Sequence, residues 1–302
     1  MALTFKAPPA PAEHPVFERW PARTTTVGAG AVRRALPHPR RRLIGAWCFL
    51  DHFGPTAPGA GLSVGPHPHI GLQTVTWLLD GAIRHRDSLG TDQPIRAGQL
   101  NWMTAGRGIA HAEDGVEGPL ASLHGVQLWV ALPDAARFDP PAFQHIATPP
   151  QIDLGGATLT LIAGQLLGST CPARTHSPLI GVDARLPDAG SRALPLEPAF
   201  EHGVVVLEGC AQIDGEAVEP GELVYLGRGR SRLVLQGAPR ARLLVVGGAP
   251  FGEPVALWWN FAFRDPDELR AAIHDWNSGD VERFGPVVGS PSPLIPSPAF
   301  PG

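Results

Sequence analysis

The sequence has few of the features that mark secreted, membrane or nucleic-acid-binding proteins. Three of its 302 residues are cysteines (Cys48, Cys171 and Cys210), and they stand far apart, outside any C-x-x-C pattern. Three scattered cysteines argue against a disulfide framework and against a cysteine zinc site, and they favour a reducing compartment. Lys6 is the only lysine and the net charge is -4, so no overall positive field attracts nucleic acid or an anionic membrane.

Long apolar runs are also missing. No stretch approaches eighteen consecutive apolar residues, and the first twenty lack the apolar core of a signal peptide. We therefore expect a cytoplasmic protein that has no contact with membranes or directly with nucleic acid. A monomer is expected where a second domain can cover the first, and an exposed edge strand that makes a dimer is the alternative. Hydrophobic residues still make up 43% of the chain, which is enough to bury a core.

Glycine and proline are abundant, with 36 and 34 residues spread along the chain. This composition favours many short strands joined by tight turns, and so an all-β fold. Strand-like runs bounded by turn residues support it. In the first half they lie at 73–79, 83–87, 99–104 and 123–132, and in the second half at 157–163, 179–186, 203–208, 222–226, 232–236 and 242–247.

The length exceeds that of one ordinary domain, so we expect two β-domains in tandem. A stretch rich in proline and alanine ends in Pro149-Pro150 and indicates an interdomain linker. The first twenty residues are expected to form a proline-rich arm, and the C-terminal tail to be loosely held. The predicted boundaries are 1–135 for the N-terminal domain, 136–150 for the linker, 151–285 for the C-terminal domain and 286–302 for the tail.

One short helix is predicted near the C-terminus. Asp265 can cap it, Pro266 suits its first position and Glu268 completes a capping-box pattern. Leu269, Ile273 and Trp276 then form an apolar stripe for packing against the rest of the chain.

The sequence Gly65-Pro66-His67-Pro68-His69 carries the first chemical signal. Residues two apart in a strand point to the same face, so His67 and His69 can converge on one ion. Pro68 lacks an amide hydrogen, which places the segment at a sheet edge or strand entry.

A second pair of the same kind follows 42 positions after His69, where His111 and Glu113 are again two apart. Gly106 and Gly108 permit the turn before it. Three imidazoles and one carboxylate suit iron, manganese, nickel, copper or zinc. The alternative is that these are ordinary solvated strand residues, because the chain has twelve histidines.

These two motifs lie in segments that resemble the pirin family of bicupins. The similarity runs from His67 to Thr76 and from Gln99 to Glu113, and it extends to Val32–Pro37, Phe49–Pro55 and Leu128–Pro133. The second half is similar more loosely, through Glu208-Gly209, Gly221-Glu222-Leu223, Gly252-Glu253-Pro254-Val255 and Trp258-Trp259-Asn260-Phe261.

The resemblance implies two tandem cupin (jelly-roll type) barrels, of which only the first binds metal. By resemblance the ligands are His67, His69, His111 and Glu113, and they would hold one divalent transition metal. Fe(II) is the first expectation, with Mn, Ni, Cu, Co or Zn as alternatives. Many pirins carry a glutamate where this chain has Gln73, a position outside their ligand set. Because a neutral amide replaces a carboxylate, the hydrogen bonds around the metal ligands are expected to differ here.

Other singled-out side chains are assigned structural roles. His176 and His202 have no histidine two positions away, so no second metal site is predicted. His85 and His124 are likewise expected to be surface or structural residues. The adjacent Trp258 and Trp259 are expected to pack in the core or between the domains.

Two functions follow from the resemblance. The first is a quercetin 2,3-dioxygenase-type oxygenase acting on a small aromatic, flavonol-like substrate and dioxygen, with Glu113 as both ligand and catalytic base. Because coordination lowers the basicity of a carboxylate, this dual role requires weak ligation. The second is a non-enzymatic, redox- or iron-responsive regulator that binds a protein partner such as a transcription factor or metabolic enzyme. Its motivation is the arginine-rich stretch Arg33-Arg34 and Arg40-Arg41-Arg42, a candidate basic patch with a solvated face as the alternative.

Overall fold

The structure is a computed structural model, and it describes residues 12–27, 30–57, 63–116 and 122–301. Within this part of the chain, short strands and one helix alternate with turns. No helix there is both long and apolar enough to cross a bilayer.

The strands of the first half begin with one that joins the sheet of the second half. In chain order they are β1 (Pro15–Pro21), β2 (Arg23–Val27), β3 (Gly30–Leu36), β4 (Trp47–Phe53), β5 (Val64–His69), β6 (Leu72–Asp80), β7 (Ala82–Asp87), β8 (Asp92–Arg96), β9 (Leu100–Thr104), β10 (Ile109–Gly115), β11 (His124–Ala131) and β12 (Ala142–Ile146).

The second half repeats this rhythm and ends in the helix. Its strands are β13 (Gln151–Leu154), β14 (Ala157–Ala163), β15 (Gln165–Leu166), β16 (Ser169–Thr170), β17 (Leu179–Leu186), β18 (Arg192–Pro195), β19 (Glu201–Glu208), β20 (Ala211–Ile213), β21 (Glu216–Val218), β22 (Glu222–Gly227), β23 (Arg232–Gly237), β24 (Ala241–Gly248), β25 (Ala256–Trp258) and β26 (Phe261–Phe263), followed by α1 (Pro266–Ser278).

Each half forms a barrel from a large and a small antiparallel sheet. The first pairs the sheet β12-β9-β6-β11-β4-β3-β2 with β5-β10-β7-β8, and the second pairs β1-β22-β19-β24-β17-β14-β13 with β18-β23-β20-β21. The predicted all-β fold, in which non-local strands close two barrels, is confirmed.

Two segments that were expected to lack regular structure form strands. Residues 15–20, expected in an arm, belong to β1, which pairs with β22 because Trp20 can be buried at that edge and the two prolines occupy the strand ends. Residues 142–146, inside the predicted linker, form β12 against β9. The predicted domain boundaries remain a prediction.

The two barrels share one apolar core through buried tryptophans. The indole Nε1–H of Trp47 donates to the carbonyls of Ile180 at 3.2 Å and Gly247 at 3.0 Å in the second barrel. Trp77 donates to the carboxylate of Asp183 at 3.1 Å. Both indoles are almost fully buried, so large apolar rings and satisfied N–H groups together join the two halves.

The predicted helix is confirmed in its position and cap. Asp265 accepts a hydrogen bond from the amide of Asp267 at 2.9 Å, and Pro266 begins the helix. Leu269 and Trp276 are buried on its inner face. The expectation of a loosely held tail is wrong for residues 290–297, which pack along β5 and are described below.

Candidate metal centre

Two adjacent strands bring the three predicted histidines to one face. His67 and His69 lie on β5, which is an edge strand as Pro68 indicates. His111 lies on β10 directly opposite His67 in the antiparallel pairing. Opposite residues on paired strands point the same way, so all three imidazoles face the interior of the first barrel.

The cluster is tight and buried. One ring nitrogen from each of His67, His69 and His111 lies within 4.8 Å of the others, and none of the three side chains is more than 6% exposed. Burial lowers the pKa of His67 to about 4, and burial with the neighbouring imidazoles lowers the pKa of His69 and His111 well below the ordinary range. At neutral pH the three rings are therefore uncharged, and each keeps one nitrogen lone pair.

Backbone carbonyls orient two of these rings. The Nδ1 of His67 is 2.9 Å from the carbonyl oxygen of Gly65, and the Nδ1 of His69 is 2.9 Å from that of Asn260. Because a carbonyl only accepts, each Nδ1 carries the hydrogen and each Nε2 keeps the lone pair. Metal-binding histidines are commonly held this way.

A side-chain relay orients the third ring. The carboxylate of Asp87 lies 3.0 Å from Nε2 of His85 and also accepts from the amides of Leu89 and Thr91. Burial raises the pKa of Asp87, but the hydrogen bonds from His85 and Thr91 outweigh it and leave that pKa below its usual value. His85 then presents its Nδ1 lone pair to Nδ1–H of His111 at 3.4 Å.

This arrangement fits a metal ion. With both Nδ1 atoms protonated, the Nε2 atoms of His69 and His111 face each other at 3.0 Å with their lone pairs. Two lone pairs at that distance repel each other unless a cation lies between them. Imidazole nitrogens about 2.1 Å from one metal and at right angles would be about 3.0 Å apart, which matches.

Glu113 lies in the wall of the same cavity, although it is not part of the 4.8 Å cluster. The pairing of β10 with β5 is irregular between His111 and Glu113. The Oε1 of Glu113 is 3.3 Å from the hydroxyl of Thr76, and burial raises the pKa of this carboxyl.

The cluster opens into a cavity of about 400 Å³. This volume falls within the range of small-molecule sites. Aromatic and aliphatic side chains both line the cavity: Phe49 and Trp129 stack with centroids 3.9 Å apart, and Trp259 comes from the second half of the chain. Arg34 and Asp51, paired at 2.7 and 2.8 Å, supply a polar group on the wall.

Several of these residues were not identified from the sequence. Trp259 was expected in packing only, but it lies with Asn260 in the turn between β25 and β26, where its φ is +49° and the turn reaches the first barrel. His85 was expected at the surface or in a structural role, and it is buried beside His111. No spacing rule marks such partners, because they reach the cluster from other strands.

The remaining histidines that were singled out lie away from the cluster. His124 is buried against His52 at 2.7 Å and Glu208 at 3.0 Å, and His202 is buried in the second barrel. His176 is half-buried. In the described ranges, the three histidines above form the single group of three or more metal-ligating side chains.

Gln73 and the arginine-rich stretch differ from expectation. Gln73 is buried away from the cavity, where its amide donates to Thr104 and to the carbonyl of Arg174. Arg34 is paired with Asp51, and Arg41 is buried with its guanidinium 4.0 Å from the ring of Tyr225. The stretch therefore does not form a continuous basic surface, because tertiary contacts turn two of its members inward.

Comparisons with known proteins agree with this architecture. The Pirin family model matches residues 29–130, and the model for the Pirin C-terminal cupin domain matches residues 181–285. A Pseudomonas aeruginosa protein named "Putative quercetin 2,3-dioxygenase PA1205" is 47% identical, with 96% of this chain and 92% of that protein aligned. A Caulobacter vibrioides "Pirin-like protein" is 36% identical over 86% of this chain and 93% of its own length.

A solved structure shows the same fold. The crystal structure titled quercetin 2,3-dioxygenase from Acinetobacter baumannii superposes with a TM-score of 0.91 at 41% identity, covering 94% of this chain and 96% of that one. The predicted pair of tandem cupin barrels is thus confirmed. From the two family models and these relatives together, the chain belongs to the pirin family.

Proposed function

We propose that this pirin-family bicupin binds one divalent transition metal in the first barrel and oxidatively cleaves a flavonol-like substrate with dioxygen. The ligands would be Nε2 of His67, His69 and His111, with the Glu113 carboxylate as the fourth. The observation that supports this most strongly is the convergence of three buried, neutral imidazoles on a cavity large enough for an aromatic molecule. The names of the relatives point to the same chemistry.

A bound metal would supply open coordination positions for a bidentate oxygen substrate and the redox chemistry of dioxygen. The chain supplies the base. A flavonol must lose a hydroxyl proton before it chelates. Glu113 and Asp51 both line the cavity and burial raises the pKa of both carboxyls, but Asp51 is paired with Arg34, so Glu113 is the one that accepts the proton, at Oε1 or Oε2. Thr76 holds this carboxylate in place.

The cavity walls suit a planar aromatic substrate. The stacked pair of Phe49 and Trp129 offers apolar surface beside His69, whose ring lies 5.2 Å from that of Trp129. The paired Arg34 and Asp51 offer a donor and an acceptor to a hydroxyl group of the substrate. Aromatic walls also exclude water from the reacting oxygens.

The direct test is metal analysis of protein purified without added metal, followed by anaerobic addition of quercetin and then air. The proposal predicts close to one equivalent of transition metal and an oxygen-dependent loss of the flavonol absorption band. Reconstituted protein that takes up metal but consumes neither flavonol nor oxygen would contradict the dioxygenase. Iron is the first candidate, and the same analysis identifies which metal is loaded.

Glu113→Gln separates the two roles of the carboxylate. An amide oxygen can still ligate a metal but cannot accept the substrate proton, so turnover should fall by about 10² to 10⁴-fold while metal content persists. Steady-state oxygen uptake and metal analysis measure the two effects. Glu222→Gln, the same change in the second barrel, is the matched control, and turnover in Glu113→Gln equal to that of the control would exclude a base role.

His85→Ala tests the relay behind His111. Loss of the partner that fixes the tautomer of a ligating histidine typically weakens metal binding about 10- to 100-fold. Competition with a chromophoric chelator measures the affinity, and His176→Ala serves as the control for removing a histidine outside the cavity. An affinity unchanged by His85→Ala would show that His111 needs no orienting partner.

The regulator remains the second prediction. No contact in the described chain favours it, since the arginine-rich stretch that motivated it is partly buried and paired. Partner binding that differs between ferrous and ferric protein, without substrate consumption, would establish it.

A further inference from the structure

The C-terminal strap, residues 290–297, lies against the edge strand that carries two of the histidines. The amide of Ile295 donates to the carbonyl of Pro66 at 2.9 Å. A Cβ atom at Gly65 would lie 2.0 Å from the carbonyl oxygen of Pro293, so the strap approaches β5 this closely only because residue 65 is glycine. The strap therefore covers the free edge next to His67.

Helix α1 and strand β10 hold the strap in place. The indole of Trp276 donates to the carbonyl of Ile295 at 2.9 Å. Asn277 bonds the backbone of Ser297 twice, at 3.1 and 2.9 Å. The hydroxyl of Ser292 donates to the buried carboxylate of Asp114 at 3.2 Å. Fixed points at both ends indicate a defined conformation along its whole length.

The sequence of the strap favours an extended segment that covers β5 over a further strand that pairs with it. Pro291, Pro293 and Pro296 have no amide hydrogen and favour an extended backbone, so the strap cannot form a full ladder with β5. Proline also restricts the unfolded chain, which reduces the entropy lost when the strap is ordered. The strap can thus stay in place with few backbone bonds.

We infer that the strap closes one side of the metal cavity and that Ile295 sets the width of the ligand the cavity admits. Ile295 is half-buried and lines the cavity together with Trp259 and the three histidines. The strap also touches Gly65, whose carbonyl orients His67. This inference rests on the proposed function for the class of ligand, a planar molecule with two adjacent oxygens and an aromatic arm.

The ligand test uses cobalt-loaded protein under argon and two bidentate oxygen chelators of different width, tropolone and 3-hydroxyflavone, titrated by visible absorption. Ile295→Trp should weaken 3-hydroxyflavone about tenfold or more relative to tropolone, because a wider side chain narrows an apolar pocket. Ile295→Ala should strengthen the binding of 3-hydroxyflavone relative to that of tropolone. Leu294→Ala is the control, since its side chain is 53% exposed on the same strap. An equal affinity ratio in all four proteins overturns Ile295 as the size determinant.

A second experiment, without metal, tests the position of the strap independently of the proposed function. Diethyl pyrocarbonate labels neutral imidazoles, and mass spectrometry reads its rate at His67 and His69. We expect labelling to be fastest in Ile295→Gly, intermediate in wild type and slowest in Ile295→Trp, with Leu294→Ala equal to wild type. Identical rates in all four proteins overturn the strap as a wall of the cavity. Failure of the wild type to bind cobalt would overturn the metal proposal while this labelling order still decides the strap.

Discussion

His111→Ala is expected to abolish metal retention and, with it, oxygen-dependent turnover. His111 lies on the central side of the cluster, where its Nε2 is 3.0 Å from that of His69 and its ring is 4.3 Å from that of His67. A structural metal bound through four ligands is worth about 10–16 kcal/mol, so the loss of one ligand costs roughly 3 kcal/mol or more than 100-fold in affinity. Metal analysis after dialysis against a mild chelator measures this directly.

The control for this variant is His176→Ala, which removes an imidazole outside the cavity. It should retain the metal content of the wild type. Far-ultraviolet circular dichroism should be the same for both variants, because an alanine at position 111 keeps the backbone pairing of β10 with β5 and β7. Full metal occupancy in His111→Ala would exclude this histidine from the ligand set.

Asp183→Ala is expected to destabilise the fold by about 3–5 kcal/mol, the usual result of leaving one partner of a buried ion pair alone. Asp183 is fully buried on β17, and Arg242 on β24 is 4% exposed. The guanidinium Nε donates to Oδ1 at 2.8 Å, and the same carboxylate accepts the indole N–H of Trp77 from the first barrel. Its removal leaves a buried cation and a buried indole N–H without their partner.

Urea unfolding followed by tryptophan fluorescence measures the change. Asp183→Asn keeps an acceptor for both donors and should lose less stability than the alanine variant. Asp188→Ala, which breaks an exposed pair with Arg192, should leave the midpoint unchanged because solvent screens that pair. A midpoint in Asp183→Ala equal to that of Asp188→Ala would show that Arg242 finds other partners.

The spacing of the histidines predicted part of the candidate site. His67 and His69 share a face because a strand has a period of two, and the proline between them placed β5 at an edge, as the structure shows. The grouping of His111 with His67 and His69 followed from the likeness to pirins, and only the structure shows that His111 lies directly opposite His67. Local periodicity and a long motif were enough for these residues.

The residues around the cluster could not be predicted in the same way. His85 reaches His111 from β7, Asn260 reaches His69 from a turn in the second half, and Ile295 reaches the cavity from the tail. Each contact joins positions far apart in sequence, or depends on which side of a barrel a turn lies. The composition of the tail, rich in proline and serine, gave no sign that α1 and β10 hold it in place.

By itself the sequence determined the β-class of the fold, the helix and its cap, and the two-residue spacing that puts His67 and His69 on one face of a strand. These depend on interactions within a few residues, where propensity and side-chain period act directly. The tertiary structure alone decided the tautomers of the imidazoles, the burial of Arg41, the aromatic walls and the strap. All of these features have the same physical cause. The closure of the barrels brings distant segments together and removes water from between them, and this sets which groups are desolvated and which hydrogen-bond partners they find.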